Sequence, residues 1–426
     1  MKNIVILGAG FGGLRTALKL EKKLRGLHAD EWSIILIDRN SYHIYTPALY
    51  EAASAYKWSK ALDARQFEEM VSGSVCLPIR EILAKRNITF TRDEIAGLDV
   101  MKRAVKTKTS GEIPFEYLVL ALGSETIYFG VEGAEKCCYA LKTVRDAFCI
   151  RRRLEAIFDA ARRQKEIRVV IVGGGTSGIE VIAEIATDTR HLAKEKGVDF
   201  NRVLLSVFEA KDQILPEAHA SQRTAVEKRL KKLGVEVITG TTIKKVMPQC
   251  VVFGDEEKCE ADMILWGGGN KGPTLFEGIT DFPLTKKGQV EVDAYLRVKG
   301  AKESASLARA GIFAIGDNSF FKDVATGAGV PATAYVAETQ ADVTAENIVR
   351  AIKGESLVPY RLFTPGYVMS CGGKYAVARL FGFTFSGFLG WVVKKMIDLK
   401  YFASILPITQ AVGLWIRELR LFVKND

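Results

Sequence analysis

The run Gly8-Ala9-Gly10-Phe11-Gly12-Gly13 follows the apolar stretch Asn3-Ile4-Val5-Ile6-Leu7, and Gly173-Gly174-Gly175-Thr176-Ser177-Gly178 follows a second apolar stretch at residues 168–172. Each Gly-x-Gly-x-x-Gly therefore lies between a β-branched run and a helix-like stretch. The first glycine permits a tight turn, the second lets a pyrophosphate approach the backbone, and the third lets helix pack closely on strand. The anion then rests on the helix N-terminus, whose free N–H groups and dipole attract it. Residues 3–38 read as one β-α-β unit, with Leu14, Ala17, Leu18 and Leu20 on the apolar side of the helix and a second strand at 33–37 ending in Asp38. Residues 167–209 repeat the plan, with a helix from about Ser177 and a strand at 203–208 ending in Glu209. Two dinucleotide sites in one chain point to electron transfer between two bound dinucleotides.

A chain of 426 residues exceeds one comfortable core, so several domains are expected. The 60 basic residues against 50 acidic ones leave a formal charge of +10, which suits anionic cofactors or an anionic membrane surface. The charge is too dispersed to indicate nucleic acid, with no block of five Lys or Arg, so no nucleic-acid partner is expected. Seven cysteines without a Cys-x-x-Cys argue against a disulfide framework or a metal site and fit a reducing compartment. The first strand starts directly after Met1-Lys2, leaving no room for a signal peptide, so the cytoplasmic side is expected.

The acids at the strand tips carry specificity. Asp38 is placed to accept from adenosine ribose hydroxyls. Glu209 accepts from a free ribose 2′-OH and repels a 2′-phosphate, which favours NADH over NADPH. Gly316-Asp317 closes an apolar strand at 311–315, ahead of a helix from about 331 to 353, and is the candidate for holding the ribityl chain of a flavin. Two more strands finish in glycine, residues 117–122 before Gly123 and residues 262–266 before Gly267, and each is expected to cross between nucleotide domains. The expected division is 1–117 and 262–355 for the FAD domain, 118–261 for the NADH domain, and 356–426 for a separate C-terminal element. Glu180, just past the second glycine turn, either faces the junction of nicotinamide and flavin or caps its own helix.

Flavin enzymes that reduce disulfides carry cysteine after the first β-α-β unit, whereas Asn40-Ser41-Tyr42-His43-Ile44-Tyr45-Thr46-Pro47 has none. Cys371 is expected to be a buried, inert thiol. Near the C-terminus, residues 381–393 are uncharged and are stopped by Lys394-Lys395, too short for a span of about 20 apolar residues. From Ile408 onward a helical wheel sets Val412, Trp415, Ile416, Leu419, Phe422 and Val423 against Arg417, Arg420 and Lys424. An apolar face opposite a basic one lies flat in an anionic interface, unless it packs on its own protein.

These residues resemble the type II, non-proton-pumping NADH:quinone oxidoreductases. The similarity runs through residues 4–14, Tyr42-His43-Ile44-Tyr45-Thr46-Pro47-Ala48-Leu49-Tyr50, residues 117–126 with Phe129-Gly130-Val131, residues 173–180, Ala314-Ile315-Gly316-Asp317 and Phe385-Ser386-Gly387-Phe388-Leu389-Gly390-Trp391. The resemblance implies an α/β fold with two Rossmann-like dinucleotide-binding domains, for FAD and NADH, plus a C-terminal helical membrane-associating element. It also implies noncovalent FAD, hydride taken from NADH, electrons passed to a membrane quinone in the respiratory chain, and a peripheral, monotopic position on the cytoplasmic face of the membrane, often as a homodimer. Gly8, Gly10, Gly12, Gly13, Asp38, Gly123, Gly316 and Asp317 would then hold FAD, and Gly173, Gly175, Gly178 and Glu209 would hold NADH. Glu180 would lie near the flavin, with Tyr335 and Lys374 as further candidates for quinone contact or proton delivery. The family's quinone-side Ala-Gln-x-Ala-x-Gln reads here Ala334-Tyr335-Val336-Ala337-Glu338-Thr339-Gln340. The Ala337-Glu338 pair is similar to sulfide:quinone oxidoreductases, but those place a cysteine where this chain has Thr176-Ser177.

Overall fold

The computed structural model describes residues 1–55, 63–161, 166–279, 282–300, 311–323 and 327–422. Its contacts divide into two compact units. Met1–His43, Leu77–Glu125 and Asn270–Phe363 form the first, and Ile44–Cys76, Thr126–Gly269 and Thr364–Asp426 form the second.

The first unit is built on a parallel sheet ordered Ile312–Ala314, Tyr117–Leu120, Lys2–Leu7, Trp32–Asp38, Thr89–Arg92. Lys2–Leu7 is central, and Ile4, Val5 and Ile6 have no exposed surface, as an apolar run covered on both faces requires. The helix Phe11–Gly26 starts inside the glycine run, with Gly10 as its N-cap. It packs along Ala334–Lys353, where Arg15 forks onto Asp342 at 2.8 and 2.7 Å and reaches Glu338 at 2.7 Å. Ala334–Lys353 starts three residues later than its composition suggests, because the Thr333 hydroxyl accepts from Val336 N and sets the cap there.

The second unit repeats the arrangement with four parallel strands, ordered Val235–Ile238, Val203–Phe208, Ile167–Val172, Met263–Trp266. Its cradle helix Thr176–Lys196 is capped by Gly175 and ends at Gly197 in the left-handed conformation. The unit also holds the antiparallel strands Gly366–Ser370, Ala376–Leu380 and Phe383–Gly387, followed by the helices Phe388–Ile405 and Ile408–Phe422. Among the described residues no helix is long and apolar enough to cross a membrane.

Several sequence expectations are corrected here. A border at 117/118 would cut Tyr117–Leu120, which pairs in the first sheet, and one at 261/262 would take Met263–Trp266 out of the second sheet; these two crossings lie instead after Glu125 and after Gly269. Ile44–Cys76 joins the second unit, where Leu49–Ala53 packs on Val144–Ala160 and Thr176–Lys196. The C-terminal residues from Thr364 are part of that unit rather than a separate element. In Ile408–Phe422 the buried stripe is Ala411, Leu414, Glu418, Leu421 and Phe422, while Ile416 is exposed. The stripe is rotated from the hydropathy wheel because Glu418 points inward to Lys395 at 3.3 Å. Val423 and Lys424 lie outside the described residues. Lys394 and Lys395, read as charges ending an apolar run, are instead 7 % and 2 % exposed.

Candidate functional site

The two cradles use glycine in the same three ways. Gly8 has φ +96°, and a Cβ there would stand 2.4 Å from Ala121 O; Gly173 has φ +109°, and its Cβ would stand 2.6 Å from Gly267 O. A Cβ on Gly13 would be 1.8 Å from Gly8 O, and one on Gly178 would be 2.1 Å from Gly173 O. Neither Gly10 nor Gly175 has any protein atom near its Cβ position, and neither helix start has a side-chain cap. The helix amides thus open onto free space, the condition an incoming diphosphate needs.

The terminal acids are held alike. Asp38 accepts from Ala9 N and from Asn40 N, both at 2.7 Å. Glu209 accepts from Gly174 N at 2.7 Å and from Lys211 N at 2.9 Å. In both, one oxygen is tied to the amide just after the first glycine and the other to the amide two residues past the acid. Each carboxylate oxygen keeps a second acceptor position for a ribose hydroxyl. Burial raises the Asp38 pKa above the usual carboxylate value, opposed by the two amides.

Three residues of the first cradle escaped sequence reasoning as structural parts. His43 is buried, sits 2.9 Å from Ala9 O and meets Phe11 edge to face at 5.0 Å. Burial pushes its pKa down to about 4, so the ring is neutral and its Nδ1–H is the donor to Ala9 O. Asn318 accepts from Leu122 N at 2.5 Å and donates to Leu120 O and Ile315 O at 3.1 Å, tying together the strand ends before Gly123 and Gly316. Gln340 accepts from Gly316 N at 2.7 Å. Asp317 accepts from Ser124 Oγ at 3.0 Å beside an open cleft that Gln289, Thr333 and Val336 also line. Tyr335, in the same unit, donates its hydroxyl to Phe363 O at 2.8 Å.

Glu180 and Lys374 belong to the second unit. Glu180 does not cap its helix, which starts four residues earlier at Thr176; its carboxylate accepts from Ser370 N at 3.3 Å. Burial pushes its pKa up to about 7, against the lowering pull of Lys394. Lys374 lies in the turn closed by Cys371 N donating to Tyr375 O at 2.8 Å. Gly372 in that turn has φ +80° and meets the cradle helix so closely that a Cβ would be 2.4 Å from Ala183 O. Arg229 holds the turn from Ala220–Leu233, donating to Cys371 O at 3.0 Å and Gly372 O at 2.8 Å. Cys371 is fully buried, and that burial raises its pKa well above the ordinary thiol value. All seven cysteines are free.

Beside Glu180 lies a buried ionic cluster that hydropathy alone does not reveal. Lys395 Nζ contacts Glu51 at 2.8 Å, Glu418 at 3.3 Å and Asp398 at 3.6 Å, and Lys394 contacts Asp398 at 3.1 Å. Tyr45 donates to Asp398 at 2.5 Å, and Tyr50 donates to Ser370 Oγ at 2.8 Å. Burial works against the charge on both lysines, but Asp398, Glu51 and Glu418 outweigh it and raise their pKa. Glu184, on the next turn after Glu180, accepts from Gly373 N at 3.3 Å. Its signal in the sequence was a second acid four residues after the first within Ile179-Glu180-Val181-Ile182-Ala183-Glu184-Ile185-Ala186.

Comparison with known proteins agrees with this geometry. A family model described as pyridine nucleotide-disulphide oxidoreductase matches residues 2–341. The type II NADH:quinone oxidoreductase of Staphylococcus saprophyticus is 27% identical over 405 residues, covering 93% of this chain and 94% of its own length. The protein of that name from Staphylococcus epidermidis is 29% identical over the same shares. Among solved structures, NDH2 from Plasmodium falciparum in complex with NADH superposes with TM-score 0.82 at 18% identity, covering 98% of both chains. The sulfide:quinone oxidoreductase from Aquifex aeolicus superposes with TM-score 0.74 at 20% identity, covering 95% of this chain and 91% of that one. With duplicated cradles on the page and a family match over most of its length, the chain belongs to the pyridine nucleotide-disulphide oxidoreductases.

Proposed function

We propose that this chain is an FAD-dependent oxidoreductase that passes two electrons from NADH to a membrane quinone without pumping protons. The observation that carries the reading is the pair of equivalent cradles, each with free helix amides, an open glycine and a strand-tip carboxylate pinned by the turn. Relatives named for NADH and quinone, aligned over 93% of the chain, support it. The residues present fit FAD in the first cradle, where Gly8, Gly10, Gly12 and Gly13 clear the diphosphate, Asp38 takes ribose, and Gly123, Gly316 and Asp317 serve the ribityl side. They fit NADH in the second, where Gly173, Gly175 and Gly178 clear the diphosphate and Glu209 takes the 2′-OH. When bound, FAD accepts hydride from NADH and supplies the electrons to quinone. The chain's own contribution is orientation and proton handling. Glu180, with a pKa near neutrality, both holds and releases a proton at working pH. Tyr335 and Lys374 are assigned to the quinone side, Tyr335 by exchanging its Phe363 carbonyl for a quinone oxygen.

A peripheral membrane position has its own support. Phe381, Phe383, Phe388, Leu389 and Met396 are between 52% and 77% exposed along the last strands and the helix that follows. Large apolar side chains gathered on one stretch mark an interaction surface, and a membrane quinone gives that surface its occupant, on the cytoplasmic face. The sulfide:quinone alternative finds no thiol relay here, since Thr176 and Ser177 occupy the turn and Cys371 is enclosed with a raised pKa.

Anaerobic stopped-flow tests the reading. NADH should bleach the flavin of the purified protein, and a soluble quinone should restore its colour. A protein that binds no flavin, or whose flavin NADH leaves oxidised, would sink the proposal.

A further inference from the structure

We infer that Glu184, one helical turn past Glu180 and enclosed by the second unit, is a proton-holding carboxyl that resupplies Glu180 during quinone reduction. The inference rests on the NADH:quinone reading. That reaction consumes NADH, one proton and quinone and yields NAD⁺ and quinol. Hydride brings both electrons and one hydrogen, so each turnover draws one further proton from solvent.

The geometry places a store for that proton. Glu180 and Glu184 are i and i+4 on Thr176–Lys196, so their side chains are neighbours on one face. Their carboxylates take amides from the same strand end and turn, Ser370 N and Gly373 N, each at 3.3 Å. Glu180 keeps part of its surface exposed, whereas Glu184 is 2 % exposed. Among the described residues no ammonium or guanidinium lies within ion-pair distance of Glu184, while the nearby lysines are engaged by Glu51, Asp398 and Glu418. A carboxylate buried without a cation costs several kcal/mol, so Glu184 rests as the neutral acid.

The groups acting on Glu184 are Glu51 from Leu49–Ala53, Lys394 and Lys395 from Phe388–Ile405, and Cys371 from the turn. Burial first, then the charge of Glu51, pushes its pKa up to about 8, which keeps it protonated at neutral pH and ready to lose the proton. In the step itself the O–H bond of Glu184 breaks as an O–H bond forms on the Glu180 carboxylate, which has just given up its own proton. Glu184 then regains a proton from solvent, and no electrons move between the two residues.

The test uses flavin-loaded wild type, Glu184→Gln and Glu184→Asp. It combines infrared difference spectra in H2O and D2O with stopped-flow of both half-reactions on either side of pH 8. Beside the Glu180 carboxyl, wild type should show a second protonated-carboxyl component at neutral pH that Glu184→Gln loses and Glu184→Asp keeps at a shifted frequency. Flavin bleaching by NADH should change less than about twofold in Glu184→Gln, while reoxidation by quinone below pH 8 slows by about tenfold or more, Glu184→Asp restores it, and wild type and Glu184→Gln converge above pH 8, where Glu184 has lost its proton. A carboxyl region identical in wild type and Glu184→Gln, or an unchanged pH profile of reoxidation, overturns the inference. If Glu184→Gln fails to hold flavin, the wild type and Glu184→Asp decide, and a carboxyl region with the same frequencies in both overturns it. Failure of quinone to reoxidise the wild-type flavin overturns the functional reading and this inference with it, and is recognised because it precedes any substitution.

Discussion

Lys395 Nζ stands 2.8 Å from a Glu51 carboxylate oxygen, two charges 344 positions apart in the chain, with side chains 3% and 7% exposed. Removing the ammonium by Lys395→Ala leaves Glu51 and Glu418 buried and unpaired. The expected cost is about 3–5 kcal/mol in urea unfolding of the flavin-loaded protein. Lys395→Met combined with Glu51→Gln and Glu418→Gln should recover most of it, since neutral groups carry no such penalty. A loss under about 1 kcal/mol in Lys395→Ala would show the pair to be exposed to solvent.

The contribution of Glu180 and Glu184 to stability should fall as pH rises from about 4.5 through about 8. Glu180 and Glu184 have folded-state pKa values near 7 and 8 against an ordinary 4.5, so across that window the folded chain binds more protons than the unfolded one. The two acids favour folding least where both must ionise inside. Glu184→Gln should therefore gain stability over wild type at alkaline pH, on the order of a few kcal/mol, and show a shallower slope. Denaturant midpoints at several pH values check this, and parallel slopes for the two proteins would refute it.

Gly10→Ala and Gly13→Ala should fail differently. The first puts a methyl into open space, so the apoprotein keeps its melting temperature but binds FAD weakly. The second drives a methyl to 1.8 Å from Gly8 O, so the fold itself should suffer, by about 2 kcal/mol or more. Flavin content and thermal melts of the apoproteins separate the two effects.

Glu209→Ala should raise KM for NADH by about tenfold while leaving kcat for NADH within about twofold, because the carboxylate binds ribose far from the transferred hydride. Adding a nearby arginine should bring NADPH into use. Equal use of both coenzymes by the wild type would contradict the role given to Glu209.

Phe383→Asp together with Leu389→Asp should move the protein out of the liposome fraction in flotation assays. The two side chains are 77% and 61% exposed, so the fold should tolerate the change, and NADH-dependent reduction of a water-soluble quinone should persist. Retention on anionic liposomes would argue for a different docking surface.

The cradles were legible because their determinants are local: a buried strand, three glycines at fixed spacing and an acid at the next strand tip all fall within Lys2–Asp38 in one copy and Ile167–Glu209 in the other. What sequence could not supply is long-range. Glu51 says nothing about Lys395 until the chain folds, and Lys394-Lys395 reads as a solvated stop because hydropathy assigns charge to the outside. Glu418 misled the helical wheel for the same reason. Ile44–Cys76 was misplaced because its partners lie in Val144–Ala160 and Thr176–Lys196, and the strand-ending glycines gave the crossing points only approximately, since each of those strands stays in the sheet it pairs with and the chain crosses just after it.

The interleaving of the two units has a consequence for the order in which the chain can fold. The four strands of the second central sheet lie between residues 167 and 266, so that sheet can close once this stretch has left the ribosome. The first sheet must wait for Ile312–Ala314, and Phe11–Gly26 waits longer still for Ala334–Lys353. The N-terminal cradle, made first, is therefore finished last, and during synthesis its apolar strands depend on shielding that the nascent polypeptide cannot yet provide.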